Sequence, residues 1–225
     1  MLRTVPMSTA LLIGATGLVG SHLLERLLAE PRFTQVVSFS RRPTGRTSPK
    51  LSEHVVDFGA PDSWAPLVRG DVAFSALGTT LAQAGSQEAQ RVIDYDYQLA
   101  FAKAAAAGGV KGYALCSSSG ADERSRVFYS RMKGELDRDV QKLGFERVRI
   151  VRPSLLAGHR EKARTGEKVG SALLGAVNAL GLARKYREIP GDTVAKAMIN
   201  ALFDPTPGTR IYTLEEVFRE AERQA

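Results

Sequence analysis

Gly14-Ala15-Thr16-Gly17-Leu18-Val19-Gly20 stands between an apolar run at residues 9–13 and an amphipathic stretch at residues 18–28, and its reading decides the fold. Glycines spaced three and three apart at a strand-to-helix turn meet a set of close-approach requirements. Gly14 permits a tight turn out of the strand, Gly17 lets main chain approach a pyrophosphate, and Gly20 lets the helix pack close to the sheet. The main-chain N–H groups around Thr16, Leu18 and Val19 at the helix start then face the phosphates.

Outward from this loop, the apolar runs are short, rich in β-branched residues and separated by helical stretches, the pattern of βαβ units in a parallel sheet. Further strands are expected at residues 35–39, 54–56, 71–76, 112–116 and 147–151, the last halted by Pro153. Long helices are expected over residues 86–107, closed by Gly108-Gly109, and over 125–143, closed by Gly144. The expected fold is α/β, a Rossmann-type doubly wound parallel sheet with helices on both faces, in a single domain over residues 1–225. Residues 154–190 and 204–225 are expected to form substrate-side or peripheral elements. They include a Gly- and charge-rich stretch at 158–170, a helix near 171–182, and a final strand and amphipathic helix; a further helix is expected near 193–203.

The 225 residues carry 31 Lys and Arg against 24 Asp and Glu, a formal net charge of +7, with 44% hydrophobic and 24% charged residues. This composition excludes a disordered or collagen-like chain, and no apolar run is long enough to span a membrane. A single cysteine, Cys116, excludes an intrachain disulfide and a cysteine-built metal site. A reducing, cytoplasmic location is expected, because the N-terminal stretch reaches glycine-rich sequence too early for a signal peptide. His22, His54 and His159 show no paired spacing, so no metal is expected. Basic stretches at 160–168 and 184–187 are interrupted by Glu161, Glu167 and Tyr186 and read as solvated surface, so no nucleic-acid partner is expected either.

About 20 residues beyond the glycine loop, an NAD-binding fold presents Asp or Glu to the ribose hydroxyls. Here the second strand ends in Ser40-Arg41-Arg42, and the nearest carboxylates are Glu30 and Glu53. Two guanidiniums can clamp a 2′-phosphate through charge-assisted bonds, where an acid would repel it. NADP(H) is therefore favoured over NAD(H), the alternative being a solvated basic turn running on through Arg46 and Lys50.

Tyr129 and Lys133 lie four apart within a helical stretch, so they share one face about one turn from each other. An ammonium beside a phenol favours phenolate and brings tyrosine toward useful acid–base work. Ser117-Ser118-Ser119 follows the fifth strand, where hydroxyls can hold a carbonyl oxygen at the sheet's C-terminal edge.

The glycine loop, the serine cluster, Ser125-xxx-Tyr129-xxx-Lys133-Gly134-Glu135 and Arg152-Pro153-Ser154 together resemble the short-chain dehydrogenase/reductase superfamily. Leu77-Gly78-Thr79-Thr80, Ser118-Ser119-Gly120-Ala121-Asp122, and Ile189-Pro190 with Val194-Ala195 are similar to its atypical NAD(P)H-binding branch, the family of the Tat-interacting oxidoreductase. The resemblance spans about residues 11–202. It implies that Tyr129 is the general acid or base, that Lys133 binds the nicotinamide ribose and favours the phenolate, and that Ser118, or nearly as well Ser119, positions the substrate oxygen. It further implies that Asp57-Phe58 contacts adenine, that Leu77-Gly78 lines the adenosine ribose, and that Ser117 and Pro153 border the nicotinamide. Asp94 falls where many members carry an active-site asparagine.

The expected function is NADP(H)-dependent hydride transfer to or from a small carbonyl or alcohol substrate. The alternative is a non-catalytic NADPH-binding redox sensor acting on a protein partner. The sequence leaves a homo-oligomer open.

Overall fold

The strand at Thr9–Ile13 (β1) sends Ala10 and Leu12 into one hydrophobic cluster and Leu11 and Ile13 into another, all fully buried. A strand covered on both faces belongs at the centre of a helix-flanked parallel sheet. The computed structural model describes residues 9–157 and 188–223. Within them follow β2 (Gln35–Ser40), β3 (Leu51–Val55), β4 (Val72–Ser75), β5 (Gly112–Cys116), β6 (Arg147–Arg152), β7 (Leu156–Ala157), β8 (Ile189–Pro190) and β9 (Gly208–Thr213). Seven of these form one all-parallel sheet in the order β3-β2-β1-β4-β5-β6-β9, and β7 pairs with β8 in a small second sheet.

The helices are α1 (Leu18–Ala29), α2 (Pro61–Trp64), α3 (Leu81–Ala84), α4 (Gln87–Arg91), α5 (Tyr97–Ala107), α6 (Phe128–Gln141), α7 (Gly191–Phe203) and α8 (Glu215–Glu222). On one face of the sheet pack α1, α7 and α8, through residues such as Leu23, Leu27, Met198 and Val217. On the other pack α5 and α6, through Phe101, Ala105, Leu136 and Val140. Helices on both faces make the sheet doubly wound, as its alternating strands and helices predict.

Three departures from the sequence reading have local causes. The third strand runs over Leu51–Val55 and not 54–56, since every residue from Leu51 to Val55 pairs in register with Val36 to Ser40. This edge strand is only half-buried, so it lacks the apolar run that marks inner strands. The long helix expected at 86–107 is broken by a π-helical turn at Val92–Asp96 between α4 and α5. There the side-chain amide of Gln98 donates to the main-chain carbonyl of Asp94 at 2.8 Å. The helix expected from 125 begins at Phe128, because the Ser125 hydroxyl accepts the Val127 N–H at 3.1 Å and holds a turn instead. The Gly-rich stretch at 158–170 and the helix near 171–182 lie outside the described residues.

The C-terminal elements are fastened to the sheet by a buried cation. Arg149, at the middle of β6 and 1% exposed, donates to the carbonyls of Ala201 (3.0 Å), Asp204 (3.0 Å), Gly208 (2.8 Å), Val148 (3.1 Å) and Thr206. Its guanidinium thus satisfies the end of α7 and the connection to β9, which would otherwise leave main-chain acceptors buried without donors. Arg149→Met keeps much of the volume but strands these carbonyls. It is expected to lower unfolding free energy by about 3 kcal/mol in urea titrations, the order of cost for buried polar groups left unpaired.

Candidate active site

Strand order reverses between β1 and β4, on opposite sides of which the chain winds outward, and a crevice at the C-terminal ends of such strands is the usual ligand position. The glycine loop leaves β1 at that point. Gly14 has φ +84°, and a Cβ on it would lie 2.4 Å from the main chain of Ala76 and Leu77, just beyond β4. A Cβ on Gly20 would lie 1.9 Å from the carbonyl oxygen of Gly14. The turn is closed by the Gly17 N–H donating to Gly14 O at 2.9 Å. Gly17 then caps α1 without a side-chain hydrogen bond, and no acid occupies the first turn. Main-chain donors and the dipole are therefore left for an anion. Thr16 and Gly17 are exposed and Leu18 half-buried, whereas the Val19 side chain is in the core, so only its main chain can serve a ligand there.

A cleft of about 300 Å³ adjoins this loop, lined by Gly14, Thr16, Ser40, Arg41, Arg42, Phe58 and Leu77. It brings together the glycine loop, the end of β2 and the loops after β3 and β4. Phe58 is buried and stacks on Tyr97 at 5.7 Å and edge-on against Trp64 at 5.6 Å. Asp57 is exposed and turns back to accept the Gly59 N–H at 2.8 Å. A second cleft of about 350 Å³ continues past Arg42 to Thr44 and Arg46. Arg46 is held by Glu25, while among the described residues no carboxylate pairs with Arg41 or Arg42. An uncapped glycine turn beside two uncompensated guanidiniums fits a phosphorylated dinucleotide.

At the neighbouring end of β5, Lys133 is 2% exposed and donates from Nζ to the Cys116 carbonyl at 3.3 Å. Tyr129, one turn earlier in α6, keeps 38% of its surface exposed. The Ser118 hydroxyl lies near the Tyr129 phenol, and the Ser117 hydroxyl beside Asp137 under α6. The Ser119 N–H donates to the carbonyl of buried Pro153 at 3.0 Å, tying the serine loop to the end of β6. Burial pushes the Cys116 thiol up to about 11, which disfavours the thiolate at neutral pH.

Lys133 acts on Tyr129 in the expected direction, toward phenolate, but burial outweighs it. Burial pushes the phenol above its ordinary value, Lys133 pulls it down, and Asp94 and Cys116 push it up again, so Tyr129 holds its proton more firmly than a free tyrosine. Burial also works against the Lys133 charge, but Tyr129, Asp94, Asp137 and Cys116 surround it and keep its ammonium above the ordinary lysine value. Two groups in this cluster escaped the sequence reading. Asp137 is buried one turn beyond Lys133 and accepts from Arg152 Nε at 2.9 Å. Thr79 donates its main-chain N–H to Asp94 Oδ2 at 2.9 Å. The i+4 step from Lys133 to Asp137 was visible in the sequence, but the fold was needed to bring Arg152 and Thr79 alongside.

Fold and cleft define a dinucleotide-binding α/β protein. A family model described as NAD(P)H-binding matches residues 14–205. "Protein fmp52, mitochondrial" of Emericella nidulans is 40% identical over 203 residues, covering 87% of each chain. "Protein HTATIP2" of Rattus norvegicus is 37% identical over 204 residues, covering 88% of this chain and 82% of that one. Among solved structures, MoeE5 in complex with UDP-glucose and NAD superposes with a TM-score of 0.68 at 17% identity, over 96% of this chain and 81% of its own. A short chain dehydrogenase family protein from Francisella tularensis gives 0.64 at 15% identity, over 93% and 98%. The chain belongs to the NAD(P)H-binding family, in the atypical short-chain dehydrogenase/reductase branch of the Tat-interacting type.

Gly14→Ala is expected to abolish NADPH binding in calorimetry and to lower the melting temperature, since its Cβ has nowhere to go. Gly144→Ala, also at φ +80° but with nothing within 4 Å, is the control. It should cost about 1 kcal/mol and leave binding unchanged.

Proposed function

We propose that the protein is an NADP(H)-dependent oxidoreductase that moves hydride between nicotinamide and a small carbonyl or alcohol, with Tyr129 as general acid and base. The observation that carries this reading is the grouping of Ser118, Tyr129 and a buried, carboxylate-flanked Lys133 beside a cleft containing two unpaired arginines. Bound nicotinamide supplies the hydride to the carbonyl carbon. As the carbon–oxygen π electrons move onto oxygen, Tyr129 Oη gives up its proton there and the Lys133 ammonium faces the phenolate that results. Ser118 donates a hydrogen bond to the same oxygen. In the reverse direction Tyr129 must begin as phenolate and take the alcohol proton.

The raised phenol gives a signed pH dependence. Tyr129 keeps its proton at neutral pH, which suits carbonyl reduction, whereas alcohol oxidation should climb with pH as the phenolate forms. Arg41 and Arg42 are assigned to the 2′-phosphate, Gly14 to Val19 to the pyrophosphate, Phe58 and Leu77 to the adenosine, and Lys133 to the nicotinamide ribose.

A second reading, an NADPH-binding redox sensor that acts on a protein partner without turnover, is favoured by Asp94, a carboxyl group where a proton-relaying amide stands in many members. In either case the ligand side calls for a compartment that supplies NADPH and keeps Cys116 reduced. The cytoplasm meets both needs, while the fungal relatives are named mitochondrial. No helix among the described residues is long and apolar enough to cross a membrane.

Tyr129→Phe should reduce turnover of carbonyl substrates by at least about a hundredfold while NADPH affinity stays within about twofold. A variant that retains turnover removes Tyr129 from the chemistry, and a wild-type protein that binds NADPH but reduces no carbonyl supports the sensor. Replacing Arg41 and Arg42 together by Ala should weaken NADPH roughly a hundredfold and NADH hardly at all. Trp64 fluorescence provides the readout, because its ring meets Phe58, which lines the cleft. Equal losses for the two cofactors would remove the 2′-phosphate assignment.

A further inference from the structure

Thr16 and Arg42 line both clefts, so the second, of about 350 Å³, opens directly from the first. One wall of it is α1, through Ser21 and Leu24, and the other is the loop after β2, through Thr44 and Arg46. From that loop the Arg46 guanidinium reaches to Glu25, which stands four residues after Ser21 and on the same face of α1. The third arginine of the loop is thus occupied by a carboxylate, whereas Arg41 and Arg42 have none among the described residues. The Arg46 and Glu25 side chains are 55% and 49% exposed, and an ion pair this open to water contributes little and is readily exchanged.

The loop does not depend on that pair for its shape. The Ser40 hydroxyl donates to the Arg42 carbonyl at 2.6 Å, and the Thr44 N–H donates to Glu53 Oε1 at 2.9 Å. Gly45, at φ +73°, then turns the chain so that the Arg46 N–H donates back to Thr44 Oγ1 at 3.2 Å. These bonds hold the main chain from residue 40 to 46 while the Arg46 side chain changes partner. A phosphate monoester carries close to two negative charges and three acceptor oxygens, which makes it a stronger partner for a guanidinium than one carboxylate.

We propose that Arg46 is a third ligand of the 2′-phosphate, held in reserve by Glu25 and released from it when a 2′-phosphorylated dinucleotide enters, so that Glu25 sets how strongly NADPH is preferred over NADH. The inference rests on the assignment of Arg41 and Arg42 to that phosphate. A phosphate seated at Arg42 lies where the two clefts meet and competes with Glu25 for the guanidinium lining the second. NADH brings no such group, and with it bound Arg46 stays on the carboxylate.

The test is calorimetric titration of the full-length protein with NADPH and with NADH at one fixed ionic strength, since exposed charges are screened by salt. Arg46→Ala should weaken NADPH about tenfold. Glu25→Gln, which keeps the shape and removes the charge, should tighten NADPH about threefold. NADH should stay within about twofold of wild type in both variants. The double variant should bind NADPH as Arg46→Ala alone does, because the gain from Glu25→Gln passes through that guanidinium. A purely structural tie predicts the opposite sign for Glu25→Gln. Unchanged or weakened NADPH binding in Glu25→Gln overturns the proposal, as does unchanged NADPH binding in Arg46→Ala or a gain that survives in the double variant. The exchange of Arg41 and Arg42 for Ala separates the two levels of the argument. Equal losses for NADPH and NADH there remove the 2′-phosphate assignment and this inference with it, whereas a loss confined to NADPH, with Arg46→Ala binding as wild type, removes the role of Arg46 alone.

Discussion

Two stretches of main chain, the turn after β1 and the residues just past β4, approach so closely that a single methyl group on Gly14 would collide with both Ala76 and Leu77. Much of the site depends on this contact. It sets the start of α1 at the reversal point of the sheet, where the helix N-terminus faces the crevice. It also fixes where the chain after β4 can go, and hence where Thr79 offers its amide to Asp94. The glycine turn after β1 and the cluster around Lys133 are thus coupled through one backbone contact. Their separation along the sheet edge is not an independent variable.

The chemistry around Lys133 follows from burial combined with charge count. One buried ammonium is surrounded by two buried carboxyl groups and the partly exposed phenol of Tyr129, with Arg152 answering Asp137. In such surroundings the favoured arrangement keeps the phenol neutral, because a further anion would have to share a cation already engaged. The site differs in this respect from a simple tyrosine–lysine pair, in which the ammonium alone sets the direction of the shift.

How much of this was legible in the sequence depended on whether the signal was local. The glycine turn, β1, α1 and β5 could be read directly, because their periodicity and spacing are complete within a few residues and are not overridden by distant contacts. The edge strand β3 was misplaced since Leu51 to Glu53 carry little apolar pattern and are ordered by pairing with β2. The break in the helix before α5 was not visible in the periodicity, where Gln98 stands an ordinary four residues from Asp94, and its bond to Ser75, 23 residues away at the end of β4, is made only by the fold. Tyr129 and Lys133 were singled out by their spacing. The direction of the phenol shift was not, since it is set by burial and by Asp94, which only the fold brings near.

Arg149 bears on how the chain reaches this state as it is made. β6 is complete once residue 152 has been synthesised, yet the acceptors that satisfy its central guanidinium lie at residues 201–208. Until those residues are available, docking β6 on the sheet would bury a cation without most of its partners. The sheet is therefore poorly closed in a nascent chain that ends short of β9, and the last strand arrives together with the carbonyls that make burial of Arg149 tolerable. Completion of this fold is in effect reserved for a polypeptide that extends through β9.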